Sequence, residues 1–346
     1  MKPTSAIIAV TLNCNARCVM CDIWKQDGKG QAGEMLPQEY RKLPASLRDI
    51  NLTGGEPFLR RDLVAVITAI RQACPRARLV VSSNGLLVER MRQLAPHLSQ
   101  MALPVAVRVS IDGVGETHDR IRGVPHGFTR ALQGLKVLKE AGIRDLGIAM
   151  TILEENLGGV GQVYQLAEEL GVEFSVTLAS DSPIFFGDGK SRLRPQNEDE
   201  LVEQLRFLIM SEYRQGHPKR WFRAWFEKGL LHYALQGTRS LPCDAGQGFF
   251  YLDPYGTVYG CHMLPHRLGS LREEDWEALW RSPEARRARQ KAQGCQECWM
   301  VCTARTQMSR NLLRIGPQIL GDKIKAHIRE HKVREDGPGR LSKEFL

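Results

Sequence analysis

The stretch Ala6-Ile7-Ile8-Ala9-Val10-Thr11-Leu12-Asn13-Cys14 carries a short apolar run directly into a cysteine. Its first six residues have the length and composition of a buried β-strand. Five similar runs follow, at Asp49–Leu52, Arg78–Ser82, Ala106–Ile111, Leu146–Ile152 and Glu173–Leu178. Helix-period segments lie between them, at Asp62–Gln72, Thr129–Ala141 and Val160–Leu170. Strands that alternate with helices predict an α/β fold with a parallel sheet, here an open, partial barrel of six βα units.

The overall composition is that of a folded protein. Of the 346 residues, 42% are hydrophobic and 25% charged, which excludes disorder and fibrous repeats. No stretch approaches the roughly 20 apolar residues that a membrane span needs. The apolar run that ends at Asn13 is too short for a signal peptide, so we expect a cytoplasmic protein.

The charge balance is mildly basic, since 48 Lys and Arg against 39 Asp and Glu give a formal net charge of +9. Basic residues are spread along the chain, apart from Arg286-Arg287-Ala288-Arg289 and the tail from Lys323 to Arg334. No zinc-finger or RNA-recognition signature accompanies them, which argues against nucleic acid as a partner. An ordinary solvated surface and an anionic small-molecule substrate both remain open.

The regular alternation of predicted strands and helices ends at Ser180. The patterns there predict a loop over Asp181–Gln196, helices over Asn197–Gln215, Trp221–Gln236 and Asp275–Gln290, and a hairpin of Phe249–Leu252 with Thr257–Gly260. The aromatic residues Trp221, Phe222, Trp225 and Phe226 are predicted to form a packing face. We therefore predict a partial barrel over residues 1–215, a helical linker over 216–240, a small cysteine-bearing domain over 241–310 and a basic, polar helical tail over 311–346, which ends in a flexible Gly337-Pro338-Gly339.

Nine cysteines carry more information than the charge. Their odd number and the lack of a signal peptide argue against a disulfide framework and point to metal binding or catalysis. Eight of them form two groups: Cys14, Cys18 and Cys21, then Cys243, Cys261, Cys295, Cys298 and Cys302. The ninth, Cys74, ends a helix-period segment and is predicted to be a structural cysteine.

The first group places three thiols in one eight-residue loop, directly after the first predicted strand. Thiolates are ligands for iron–sulfur clusters and for zinc. A structural zinc site needs four ligands, so three cysteines leave one metal position open unless a distant residue completes the site. An open iron could chelate the amino and carboxylate groups of a methionine-type ligand.

The spacing Cys-x3-Cys-x2-Cys at the end of a first barrel strand resembles that of the radical S-adenosylmethionine (SAM) enzymes. Thr53-Gly54-Gly55-Glu56-Pro57 matches the Gly-Gly-Glu-Pro motif of this family, which binds the methionine amine. Ser82-Ser83-Asn84-Gly85, Ser110-Ile111-Asp112-Gly113 and His118-Asp119-Arg120-Ile121-Arg122-Gly123 also resemble one of its subgroups. The resemblance implies a SAM site formed by Met20, Gly54, Gly55, Glu56, Asn84, Ser110, Asp112 and Arg122.

The family resemblance also implies the chemistry. A 4Fe–4S cluster on Cys14, Cys18 and Cys21 would reduce SAM to a 5′-deoxyadenosyl radical, which abstracts hydrogen from a substrate. Such an enzyme needs a reductant such as flavodoxin or ferredoxin.

The second cysteine group resembles the SPASM or twitch domain that carries auxiliary clusters in this family. The full SPASM pattern has a longer cysteine run and a further cysteine, whereas here none follows Cys302. We therefore expect the twitch form with one auxiliary 4Fe–4S cluster, held first by Cys243, Cys261, Cys295 and Cys298. Cys302 could replace Cys295 as a ligand, lie free, or donate hydrogen to a substrate radical. A structural zinc site remains an alternative.

These observations favour a radical SAM oxidoreductase that dehydrogenates or epimerises a small molecule. A maturase of a ribosomal peptide is an alternative, with the absence of an N-terminal extension before Ala6 as an argument against it. An iron–sulfur electron carrier is an alternative of another class, but a carrier has no need of the Gly-Gly-Glu-Pro motif. His262 is expected to be structural, and Asp112, Asp181 and Glu173 are weak candidates for contact with substrate.

Overall fold

One nine-stranded sheet runs through the molecule. The computed structural model describes residues 2–26 and 33–336, with side chains described as far as residue 328. The strand order is β6-β5-β4-β3-β2-β1-β7-β8-β9. The strands are β1 (Ser5–Thr11), β2 (Asp49–Gly54), β3 (Arg78–Ser83), β4 (Ala106–Ser110), β5 (Leu146–Ile152), β6 (Glu173–Leu178), β7 (Phe249–Leu252), β8 (Thr257–Tyr259) and β9 (Arg267–Ser270).

The first six strands are parallel and confirm the predicted α/β class with helices between strands. The helices are α1 (Leu63–Ala73), α2 (Val88–Ser99), α3 (Glu116–Arg122), α4 (Gly127–Glu140), α5 (Val160–Leu170), α6 (Glu198–Arg214), α7 (Pro218–Gln236), α8 (Trp276–Arg281), α9 (Pro283–Ala292), α10 (Val301–Arg310) and α11 (Leu312–Asp336). Helices and sheet enclose one large apolar core. Cys74, which the sequence marks as structural, lies fully buried in it.

The cysteine-bearing region continues the same sheet. Strand β7 pairs in parallel with β1, in register from Ser5 opposite Phe249 to Ile8 opposite Leu252. Strands β8 and β9 then extend the sheet in antiparallel order. The two cysteine groups are therefore attached to adjacent strands, while the proposed domain boundaries stay predictions.

The predicted packing face of α7 packs against Trp299, the residue that follows Cys298. Trp225 and Phe226 are buried, and the ring of Phe226 stacks on Trp299 with centroids 5.9 Å apart. The indole of Trp299 also donates to the carbonyl of Phe226 at 2.9 Å. Gly229 leaves the room this ring needs, because a Cβ there would lie 2.5 Å from it.

The structure also departs from the sequence-based assignments. Helices α2 and α3 and strand β9 are additional elements, and the helix predicted over Asp275–Gln290 is interrupted at Ser282, because Pro283 begins a new helix there. The tail helix is not purely polar, since it exposes several large aliphatic side chains. The segment Gly337-Pro338-Gly339 lies outside the described residues. No helix in the described part of the chain is long and apolar enough to cross a membrane.

Candidate active site and metal centres

A cavity of about 180 Å³ opens where the carboxyl ends of the six parallel strands meet. This is the edge at which open parallel sheets bind ligands. Its walls contain all three cysteines of the first group and six of the eight residues implied for SAM. These six are Met20, Gly54, Gly55, Asn84, Ser110 and Arg122.

The loop that carries the first cysteines is held by its neighbours through backbone hydrogen bonds. The amide of Arg17 donates to the carbonyl of Arg122 at 3.0 Å, and that of Val19 to Ile121 at 2.9 Å. The end of α3 therefore fixes the middle of the loop. Gly123 permits this approach, because its φ of +62° is left-handed and a Cβ there would lie 2.6 Å from the Arg17 carbonyl oxygen.

The three thiols are shielded from water. Burial raises the pKa of Cys14 to about 12 and that of Cys21 to about 11. Burial also raises the pKa of Cys18, although Arg122 opposes this shift. Iron binds the thiolate, so loading the site must release protons from these cysteines.

Gly54 and Gly55 bring the end of β2 against the start of the cysteine loop. A Cβ at Gly54 would lie 2.0 Å from the Thr11 carbonyl oxygen, and one at Gly55 would lie 2.0 Å from that of Asn13. Both contacts are with backbone atoms, which cannot move aside. The Gly-Gly pair is thus required by the fold itself as well as by any ligand that lies against it.

Glu56 lies beneath the cavity and is fully buried. Its carboxylate accepts hydrogen bonds from the amide of Asn84 at 2.7 Å, the hydroxyl of Ser83 at 2.9 Å and the amide of Phe58 at 3.0 Å. Burial raises the pKa of Glu56 to about 7, while these donors oppose the shift. In this structure Glu56 holds the ends of β2 and β3 together, and its contact with a methionine amine stays a prediction.

A buried ion pair connects the fourth strand end to the cysteine loop. The Arg122 guanidinium lies 2.5 Å from the Asp112 carboxylate and 3.6 Å from the Cys18 sulfur. Asp112 also accepts a hydrogen bond from the Thr151 amide at 2.7 Å. Asp112 lies behind the cavity wall, so it positions Arg122 rather than facing the open space.

The far wall of the cavity was not predicted from the sequence. It consists of Trp24, Phe185, Phe186 and Met300, together with residues that follow β6. The amide of Asp22 donates to the carbonyl of Phe186 at 2.7 Å and ties this aromatic loop to the cysteine loop. Two adjacent phenylalanines in a Gly- and Pro-containing loop were the available signal, because aromatic residues in such a loop need a packing partner.

The second cysteine group surrounds a smaller cavity of about 20 Å³. The thiols that line it are Cys243, Cys261, Cys295 and Cys298. Cys302 lies in the first turn of α10 and is not among its lining residues. Within residues 2–26 and 33–336, no three His, Cys, Asp or Glu side chains are arranged as ligands of one metal ion. The four thiols around one small cavity fit the donor set of an iron–sulfur cluster.

One buried cation faces this second group. The guanidinium of Arg239 lies 3.8 Å from the Cys298 sulfur and hydrogen-bonds the Cys298 carbonyl. It also donates to the Leu241 carbonyl at 3.1 Å and lies 5.3 Å from the ring centre of Trp299. Coulombic attraction to Arg239 opposes the burial that raises the pKa of Cys298 to about 12.

His262 lies between the two cavities. Its Nε2 is 3.3 Å from the Met300 sulfur, and its ring contacts Phe185 and Phe186 edge-on. Burial lowers the pKa of His262 to about 4, so the ring is neutral at pH 7.

The other two weak candidates for contact with substrate, Asp181 and Glu173, are bound to other groups of the protein. Asp181 accepts hydrogen bonds from the amides of Lys190 and Ser191 at 2.5 and 3.0 Å. Glu173 lies at the amino end of β6, 3.1 Å from Lys219, on the edge of the sheet opposite the cavity.

Comparison with known families finds one match over each of the two cysteine-bearing regions. The model of the radical SAM superfamily matches residues 8–167, and that of the SPASM iron–sulfur cluster-binding domain matches residues 243–299. The chain contains a radical SAM domain followed by a SPASM domain. Its cofactors are therefore SAM with a 4Fe–4S cluster, and auxiliary iron–sulfur. That the auxiliary cluster is single stays a prediction.

Among similar proteins, an AdoMet-dependent heme synthase of Methanosarcina barkeri is 27% identical over 296 residues, which cover 80% of this chain and 81% of that protein. The mycofactocin maturase MftC of Mycobacterium ulcerans is 26% identical over 315 residues, covering 84% and 78%. The solved structure of anSMEcpe with bound AdoMet superimposes with a TM-score of 0.62 at 16% identity, covering 94% of this chain and 96% of that one. At this sequence identity, the similarity to anSMEcpe shows a shared fold.

Proposed function

We propose that this radical SAM enzyme oxidises a small, acidic molecule by removing two hydrogens. The observation that carries the proposal is the shape of the main cavity. Its walls run from Cys14, Cys18 and Cys21 to Met300, which lies in the chain between Cys298, a predicted ligand of the auxiliary cluster, and Cys302. A substrate in this cavity would have the SAM site on one side and the auxiliary site on the other.

When bound, the two cofactors supply a 5′-deoxyadenosyl radical and a one-electron acceptor. The overall balance is then complete. The substrate would lose one hydrogen atom to the deoxyadenosyl group, and afterwards one electron to the auxiliary cluster and one proton to the solvent. A reductant such as flavodoxin or ferredoxin supplies the electron that SAM cleavage consumes.

The residues of this chain shape the cavity and exclude water from it. Phe185, Phe186 and Met300 form an apolar wall that excludes water from a substrate radical. Behind the neighbouring wall, Arg194 donates to the carbonyl of Ala179 at 2.6 Å and to the hydroxyl of Ser180 at 3.2 Å. Because Arg194 lies outside the cavity lining, the support for an acidic substrate is the basic balance of the chain, with a net charge of +9.

The position of Cys302 supports oxidation over epimerisation. Burial raises the pKa of Cys302, so its thiol stays protonated at pH 7. A protonated thiol can donate hydrogen, but Cys302 is not among the residues that line either cavity. A hydrogen donor must reach the substrate radical directly.

The mass of the product tests this proposal. Anaerobically reconstituted protein would be incubated in D₂O with SAM, a reductant and a panel of acidic small molecules, including iron porphyrin carboxylates. We expect one 5′-deoxyadenosine for each product molecule that has lost two hydrogens. A product that keeps its hydrogen count but gains one deuterium would show epimerisation and contradict the proposal.

Peptide maturation is a second candidate, favoured by the similarity to the maturase MftC over 84% of this chain. Its test is the same assay with ribosomal precursor peptides in place of acidic small molecules. Modification of a peptide, with no turnover of the small molecules, would replace the first proposal with this one.

A further inference from the structure

Helix α11 is fixed to the rest of the molecule by one of its faces. Ile315, Ile319 and Ala326 are buried on that face. Asp322 forms an ion pair with Lys228 of α7 at 2.9 Å, and Lys323 donates to the carbonyl of Gln215 after α6 at 2.9 Å. These contacts hold the helix in one orientation.

The opposite face of α11 exposes a row of large aliphatic side chains. Leu313 is 96% exposed, Leu320 55%, Ile324 60% and Ile328 56%. At 3.6 residues per turn, the spacings of seven, four and four residues keep this row within about 80° of the helix circumference, over about 22 Å. Scattered exposed aliphatics are ordinary on a protein surface, but a continuous row marks an interaction site.

The flanks of this row are cationic. Arg314 and Lys325 are exposed beside it. Over Leu312–Ile328, the only acidic residue is Asp322, and it lies on the buried face. The outward face thus combines aliphatic side chains with positive charge and presents no carboxylate in its described part.

We propose that this outward face of α11 docks the enzyme onto the surface of an anionic lipid membrane. An amphipathic helix that lies in the plane of the interface inserts its aliphatic side chains at the boundary of headgroups and acyl chains. Arg314 and Lys325 would extend sideways to the lipid phosphates. The enzyme would attach to the membrane surface through this helix, and the attachment requires neither of its clusters.

Charge disfavours a second copy of the chain as the occupant. A two-fold dimer brings the same surface of both protomers together. Antiparallel pairing of this face about Leu320 would place Arg314 of one protomer beside the Lys325 position of its partner. Like charges at such a contact are destabilising.

Vesicle sedimentation tests the proposal with the full chain. We expect the protein to bind vesicles of phosphatidylcholine containing phosphatidylglycerol, and to bind pure phosphatidylcholine about tenfold less. Leu320→Ser with Ile324→Ser should lower binding to the anionic vesicles at least about tenfold, because both side chains contribute to the inserted face. Leu36→Ser with Leu103→Ser is the matched control, since both leucines are exposed elsewhere and binding should not change.

A second variant and a second measurement distinguish a membrane from other partners of the outward face of α11. Arg314→Glu with Lys325→Glu leaves the aliphatic row intact and should also abolish binding to anionic vesicles. All variants should keep wild-type cleavage of SAM, which shows that they fold. No binding of the wild-type chain to anionic vesicles would overturn the proposal. So would a concentration-dependent dimer in sedimentation velocity that Leu320→Ser with Ile324→Ser dissociates, because a second copy would then be the occupant.

Discussion

Each cysteine group has one arginine beside it, and the two arginines differ in how far their charge is neutralised. At the first group, Arg122 is shared between the Asp112 carboxylate and the Cys18 sulfur, so its charge is partly neutralised. At the second, Arg239 has carbonyl, hydroxyl and aromatic neighbours, and it forms no ion pair with a carboxylate in the described part of the chain. The full positive charge of Arg239 therefore acts on the thiolates around it.

Arg239→Gln should lower the midpoint potential of the auxiliary cluster. A nearby positive charge and a hydrogen bond to a ligand sulfur both stabilise the reduced, more negative cluster. Across roughly 4 Å of protein the shift should be on the order of 100 mV. Redox titration followed by electron paramagnetic resonance measures it. Arg71→Gln, which removes a guanidinium bound to the backbone at Leu103, is the matched control. An unchanged potential with full iron content would contradict this role.

Cys302→Ala should keep the auxiliary cluster, whereas Cys298→Ala should lose it. Four thiols line the second cavity, and Cys302 is not one of them. We expect these four to complete a cubane cluster. Iron analysis after anaerobic reconstitution should give about eight irons per chain for Cys302→Ala and about four for Cys298→Ala. Loss of four irons from Cys302→Ala would instead make Cys302 a ligand.

At the scale of elements, the strands could be read from the sequence because each is a short apolar run bounded by turn residues. All six parallel strands match their predicted bounds to within two residues at either end, and β5 and β6 match fully. Helix α2 was missed because Pro96 and several charged residues interrupt its apolar pattern. The pairing of β7 with β1 spans more than 240 residues, and no local pattern records such a partner.

The candidate site also contains some residues that local sequence patterns predict and others that they do not. The cysteines and Gly54-Gly55 were predictable because their spacing is local. The aromatic wall was not, since Phe185 and Met300 meet only after β7 has joined β1.

Asp145 joins three strands at the edge of the sheet opposite the cavity. Its carboxylate binds Arg78 of β3 and Arg108 of β4, each at 2.7 Å. These two arginines outweigh burial and hold the pKa of Asp145 well below its usual value. The stabilisation is therefore present above the unfolded-state pKa, and it is lost as the pH falls toward the folded-state pKa.

Asp145→Asn should destabilise the protein by about 1 kcal/mol at pH 7, a value reduced for the solvent exposure of the pair. The difference from wild type should shrink between about pH 5 and pH 3, where Asp145 becomes protonated in the unfolded chain. Urea unfolding followed by tryptophan fluorescence measures it. Asp188→Asn in an exposed loop is the control. A difference that stays constant over this pH range would contradict the ion-pair account.

At the scale of the whole molecule, one sheet brings the two cysteine groups to two cavities, and the main cavity is lined from both cysteine-bearing regions of the chain. Strand β1 leads into the Cys14 loop, and its neighbour β7 belongs to the SPASM domain. The cavity between them is lined from both regions of the chain. The central claim is therefore a division of labour, in which the first group cleaves SAM and the second holds a separate cluster.

A single variant tests this division most directly. Cys14, Cys18 and Cys21 would be replaced together by Ala, and iron content and 5′-deoxyadenosine would be measured in the same anaerobic preparation. Wild type should contain about eight irons and cleave SAM, while the variant should keep about four irons and form no 5′-deoxyadenosine. Continued formation of 5′-deoxyadenosine by the variant would contradict the account.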